Sequence, residues 1–178
     1  ALGGGRAFVE GFYAKQGKDY KTELAALGYQ VLHSQDELAN VTEGKVVGLF
    51  AEDNLPKMSD GRGDYLLQAT NKALEILTNN VEKEKKRGFM LMVEGSKIDY
   101  RSHANDSEGI LAEMRDFEKC VAAAMDYADA HPGTLVVVCA DHETGGVSIP
   151  SQSTDFKRAD SGINYRYATR GHSGTMVP

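Results

Sequence analysis

Two cysteines in 178 residues, Cys120 and Cys139, are too few and too far apart for a disulfide framework. Cys139 closes an apolar run and Cys120 falls in a helical pattern, so both read as small buried side chains, and neither fixes a redox compartment. No stretch approaches the ~18–20 consecutive apolar residues of a membrane span, and no signal peptide opens the chain. The first residues, ALGGGRAF, read instead as the middle of something longer, a short apolar end running into a glycine turn. Positive charge is scarce as well: 20 Lys and Arg against 26 Asp and Glu leave a net −6. That balance argues against a nucleic-acid surface, which needs a basic stripe. It does not exclude an anionic substrate, because bound cations reverse a local field. Internal repeats and low-complexity tracts are absent too.

What remains is an ordinary soluble composition, 41% apolar and 26% charged, long enough for one domain with a real core. TELAALG (22–28) predicts a short helix stopped by Gly28, and YQVLH (29–33) a strand. Ser34 offers a helix cap, and KVVGLF (45–50) is a second short apolar strand. Residues 51–64 are rich in turn formers and read as a surface loop. Leu66, Ala69, Ala73, Ile76 and Leu77 recur at helical spacing over 65–79, and 81–88 reads as a charged, solvated connection. FMLMV (89–93) and TLVVVCA (134–140) are continuously apolar and predict strands covered on both faces. Between them, Ile110, Met114, Phe117, Val121, Ala124 and Ala128 mark one face of a helix from Ser107 to His131. Asp106 or Ser107 caps it, and Pro132-Gly133 stops it. Alternating strands and helices predict a single α/β segment over 1–178, with a largely parallel central sheet flanked by helices.

In open α/β sheets, ligands bind beyond the carboxyl ends of the strands. FMLMV runs into Glu94, and TLVVVCA runs into DHETGG (141–146). A right-handed crossover between the two strands would bring both ends to one sheet edge. Asp99 and His103 stand four apart, so one helical turn would place both on one face. Asp141 and His142 are adjacent at a strand exit. Imidazole and carboxylate donors without thiolate suit a catalytic zinc, whereas Glu94, with no histidine beside it, better suits Mg²⁺. Singly, each has a plainer explanation: Asp99 as a loop or cap residue, His103 as a surface histidine, Asp141 as a turn former. Two independent strand ends that both present acid and histidine pairs favour the ligand reading. His33 ends an edge strand and His131 closes a helix, so neither joins the set, and GHSG (171–174) is uninformative by itself.

The segments LMVEGSKIDYRSHAND and LVVVCADHETGG, with LGGGR upstream and GHSGTMVP downstream, closely resemble the alkaline phosphatases. The E-G-x-x-I-D-x-x-x-H and A-D-H-E-T-G-G patterns carry most of that likeness. The resemblance implies a phosphomonoesterase with two Zn²⁺ and one Mg²⁺, acting on small phosphate monoesters through a phosphoserine. Position by position, Glu94 looks like the magnesium ligand. Asp99, His103 and, in GHSG, His172 look like ligands of the first zinc, and Asp141 and His142 look like ligands of the second. A periplasmic or secreted location follows from the resemblance alone, and a homodimer of the full-length enzyme stays open.

Some of the family's residues find no counterpart. No segment matches the nucleophilic serine, the aspartate joining the second zinc to magnesium, the magnesium-binding Thr or Ser, or the phosphate-gripping arginine. Ser96 and Arg170 occupy no matching motif and are not assigned those roles. The expectation is therefore a C-terminal, metal-ligating portion of a longer enzyme, incomplete at both ends and inactive alone. Tyr100 follows Asp99 where some relatives carry a basic residue that supports phosphate. Only 29 residues, 143 to 171, separate His142 from His172, which predicts an open active-site rim with no large cover over 147–170. Two rivals remain: another hydrolase of the same superfamily, such as a phosphodiesterase, sulfatase or phosphomutase, or a non-catalytic metal-binding domain.

Overall fold

The structure is a computed structural model that describes residues 1–150 and 165–177. The chain forms two compact units, Ala1–Val93 and Glu94–Pro178.

The first unit is built on a three-stranded parallel sheet in the order β1-β3-β2, with β1 at Leu2–Gly3, β2 at Tyr29–Leu32 and β3 at Lys45–Leu49. Register runs Leu2 opposite Gly48 and Val31 opposite Val47. Leu32, Leu38, Val41 and Ile76 form its buried core, with Leu2, Val46 and Phe50 packed against it. Helix α1 (Arg6–Ala14) starts from Gly5 in the left-handed conformation, φ 88°. Its first amides are taken by the carbonyls of Ala51, Glu52 and Asp53. Helix α2 (Tyr20–Ala26) is capped by Asp19, whose carboxylate accepts from the Thr22 amide. The Ser34 cap holds: in α3 (Gln35–Ala39) Ser34 and Glu37 form a reciprocal capping box. Helix α4 spans Tyr65–Glu84, so the expected charged connection over 81–88 is half helix. Val81, Glu82, Lys83 and Glu84 continue the spiral at little cost, because Glu and Lys are good helix formers, and Lys85 ends it at φ 52°.

The two strands expected at 89–93 and 134–140 are not strands. Neither run has a ladder partner among the described residues, and Met90 is 90% and Leu135 84% exposed. An apolar run becomes a buried parallel strand only when neighbouring backbone pairs with it and other elements cover both faces. The crossover argument for bringing Glu94 and Asp141 to one sheet edge loses its sheet in consequence. Cys139 shares that exposure, contrary to the buried reading, while Cys120 is buried as expected.

The second unit pairs α5 (Lys97–His103) with α6 (Ser107–Ala130) and adds a short antiparallel strand pair, β4 (Glu143–Thr144) with β5 (His172–Ser173). Asp106 is the cap of α6, accepting from the Gly109 amide at 3.0 Å and from Arg101 Nη1 at 2.9 Å. The buried stripe of α6 is Gly109, Glu113, Asp116 and Cys120, not the apolar stripe read from the sequence. Met114 is 47% exposed. Gly109 explains the offset: a Cβ there would lie 2.6 Å from Arg101 Cδ, so the glycine lets α5 approach on that face.

Candidate functional site: a carboxylate and imidazole cluster

Helix α5 performs the alignment its sequence promised. Asp99 and His103, one turn apart, bring Asp99 Oδ1 to 3.4 Å from His103 Nε2. The strand pair supplies the third donor. Glu143 stands opposite Ser173 and Thr144 opposite His172, which sets His172 Nε2 3.6 Å from the same Asp99 oxygen. Asp99, His103 and His172 each offer one ligand atom within 4.8 Å of the other two, the only such group of acids, histidines or cysteines among the described residues.

The local backbone explains why this strand pair forms. Gly145 sits at φ 95°, where a side chain would be strained, and its amide donates to the Gly171 carbonyl at 3.0 Å. A Cβ on Gly146 would stand 2.8 Å from Ala168 Cβ, so the two segments meet too closely for a larger residue without a shift. Glu143 ties the turn shut. Its carboxylate accepts from the Gly146 and Val147 amides at 3.1 and 2.9 Å and from the Ser173 hydroxyl. Those bonds, the Ser173 bond foremost, hold its carboxyl below the usual glutamate range.

Hydrogen bonds also select the imidazole tautomers. His103 Nδ1 faces the Arg170 carbonyl, which can only accept, so Nδ1 donates and Nε2 is the ring atom turned toward Asp99. Thr144 Oγ1 donates to Asp99 Oδ1 at 2.7 Å and lies 3.0 Å from His142 Nδ1. Its one proton being spent on the carboxylate, the hydroxyl can only accept from His142 Nδ1, which leaves Nε2 as the ring atom free for a ligand. That nitrogen lies 3.2 Å from Asp141 Oδ2, and the His142 ring stacks on His172 with centroids 3.7 Å apart. An imidazole nitrogen that faces a carboxylate at such distances calls for a cation or a proton between them.

A cation fits. Ligand atoms about 2.0–2.1 Å from a tetrahedral ion stand roughly 3.3–3.4 Å apart, close to the 3.4 and 3.6 Å found around Asp99. The donors are nitrogen and oxygen with no thiolate. The structure thus brings together Asp99, His103 and His172, with His142 stacked beside them. It leaves Asp141 and Glu94 exposed and outside the group of three. Three participants escaped the sequence. Thr144 and Glu143 were in view within DHETGG but carried no ligand signature, and Arg170 contributes a backbone carbonyl, which no side-chain pattern reveals. His33 bonds to Tyr20 and His131 to the Tyr127 carbonyl, both outside the cluster, as expected. The open rim expected over 147–170 falls mainly on 151–164, which lie outside the described residues.

An α/β chain that gathers oxygen and imidazole donors from a helix and a glycine-bound strand pair has donors suited to a divalent metal ion. The comparisons narrow the class: the alkaline phosphatase family model matches residues 2–164, across both compact units, and the chain belongs to that family. It is 39% identical over 150 residues to alkaline phosphatase 3 of Bacillus subtilis, covering 83% of this chain and 30% of that protein. The solved alkaline phosphatase of the Antarctic bacterium TAB5 superposes with a TM-score of 0.82 at 30% identity, over 98% of this chain and 50% of that one. A variant of the TAB5 enzyme with magnesium bound in its M3 site gives 0.80 at 29% identity, over 99% and 51%. The chain thus spans about half the length of these solved relatives and less than a third of the curated one.

Proposed function

We propose that this chain supplies the metal-ligating half of a phosphomonoesterase. Asp99, His103 and His172 would hold one zinc, Asp141 and His142 a second, and Glu94 a magnesium. The observation that carries the reading is the convergence of the Asp99 carboxylate with the Nε2 atoms of His103 and His172. The family's match over both units, and the magnesium in a solved relative, support it. When bound, such cations stabilise charge on phosphoryl oxygens and lower the pKa of water toward ~7.

The chain's own residues do the rest. Helix α5 fixes the spacing of Asp99 and His103, and the Arg170 carbonyl keeps the His103 proton on Nδ1. The β4–β5 pairing delivers His172 to the same oxygen. Asp141 and His142 alone fall short of four ligands, so residues from the remaining length of the relatives would complete that site and carry the phosphoserine. Taken alone, the 178 residues would show negligible turnover. The family also makes an exported, periplasmic or secreted enzyme our reading for the whole protein. Among the described residues no helix is long and apolar enough to cross a membrane.

The test is a substrate comparison on the full-length enzyme. Hydrolysis of p-nitrophenyl phosphate, abolished by EDTA and restored by Zn²⁺ with Mg²⁺, is expected to exceed that of the corresponding diester and sulfate. Asp99→Ala should cost more than the ~10–100-fold that losing a mere supporting partner costs. Preference for the diester or the sulfate would move the protein to another branch. Retention of full activity in Asp99→Ala would remove the cluster from the chemistry.

A further inference from the structure

We propose that Thr144 is a positioning residue, a single buried hydroxyl that couples the two donor sets by orienting one member of each. The inference rests on reading Asp99 and His142 as ligands. Thr144 is 7% exposed, so its Oγ1 has little access to water and its bonding is decided by protein groups. Two lie within reach: Asp99 Oδ1 at 2.7 Å and His142 Nδ1 at 3.0 Å. A carboxylate only accepts, so the hydroxyl proton goes to Asp99, and an oxygen with its proton committed receives the proton of His142 Nδ1. The sequence of donors is fixed in one direction, His142 Nδ1–H to Thr144 Oγ1, then Thr144 O–H to Asp99 Oδ1.

Each link has a consequence. The bond from His142 places a proton on Nδ1 and turns Nε2 toward Asp141, 3.2 Å away. The bond to Asp99 steers the same oxygen that lies 3.4 Å from His103 Nε2 and 3.6 Å from His172 Nε2. Thr144 is itself held by the strand pair, opposite His172, so one backbone register sets a ligand and the hydroxyl that aims two others. His103 provides an internal control, because its tautomer is set independently by the Arg170 carbonyl.

Thr144→Val keeps the shape and deletes the hydroxyl, while Thr144→Ser restores it. In the metal-free full-length protein, imidazole ¹⁵N shifts should report a proton on Nδ1 of both His142 and His103, whether or not Nε2 also carries one. In Thr144→Val, His142 should lose that preference and His103 keep it. Affinity for Zn²⁺, measured by calorimetry, should fall about 10–100-fold in Thr144→Val and return to within a few-fold of wild type in Thr144→Ser. A purely structural role for Thr144 would lower the melting temperature and leave the tautomers and the serine rescue unmoved, which would overturn the proposal. So would an Nε2–H tautomer for His142 in the wild-type protein, a measurement that stands even if the valine variant fails to fold. Absence of Zn²⁺ binding by the wild type would refute the metal reading instead, and the ¹⁵N shifts would still decide the orienting role.

Discussion

Between Ala1 and Val93 the chain buries Leu32, Leu38, Val41 and Ile76 against one another under a small parallel sheet. From Glu94 onward, its most deeply buried residues include Lys97, Ser102, Glu113, Asp116 and Thr144, while Met114, Met125 and Leu135 face outward. The first unit is held by removal of apolar surface from water, a non-directional force that tolerates conservative exchange. The described part of the second buries mainly polar groups, whose directional contacts specify geometry. That contrast suits the ligand role proposed for the second unit. Ligands must stand within fractions of an ångström of a productive arrangement, and hydrogen bonds from fixed backbone and hydroxyl groups set such positions better than apolar packing does.

The contrast can be broken by mutation. Leu38, 4% exposed in the core of the first unit, should cost about 2–5 kcal/mol when changed to alanine. Denaturant unfolding followed by probes in 1–93 would measure it, and added Zn²⁺ should not change the penalty. A loss below about 1 kcal/mol would mean that this core is not what stabilises the unit. The second unit should respond in the opposite sense. Free Zn²⁺ at about 100 times its dissociation constant should stabilise it by roughly 2.7 kcal/mol, and Asp99→Ala should abolish that gain. Equal stabilisation of the variant would place the ion elsewhere.

A smaller effect separates the units by pH. Burial pushes the Tyr65 hydroxyl up to about 12, with Arg62 opposing. A group whose folded pKa lies above its unfolded value gives stability that is complete below the unfolded pKa and lost as pH rises through the folded one. The first unit should therefore lose up to about 2 kcal/mol between pH 10 and 12, and Tyr65→Phe should remove that slope. At neutral pH the phenylalanine variant should be near neutral, because the Tyr65 hydroxyl finds no hydrogen-bond partner among the described residues. An unchanged alkaline slope in the variant would assign the effect to other groups.

Local signals were legible where local physics decides. The Ser34 capping box, the Gly28 stop after α2, the helix from Tyr65 and the one-turn spacing of Asp99 and His103 all follow from contacts within a few residues. What failed needed partners distant in sequence. FMLMV and TLVVVCA are apolar without period, which signals two covered faces but not what covers them, and the described residues give them no ladder. The fully buried stripe of α6 lies one residue away from the apolar one, on Gly109, Glu113, Asp116 and Cys120, a choice that depends on what packs against the helix. Of the candidate site, the proposed ligands were visible as residue types, and His172 through its likeness to a family. Thr144, Glu143 and the Arg170 carbonyl were not, since their roles exist only once the strand pair is closed.

The most direct test of the central claim is amide hydrogen exchange on the EDTA-treated protein, before and after Zn²⁺ is added. Protection should rise across α5 and at Glu143–Val147 and Gly171–Ser173, while the amides of β2, β3 and α4 stay as they were. Protection confined to the first unit, or none at all, would contradict the account.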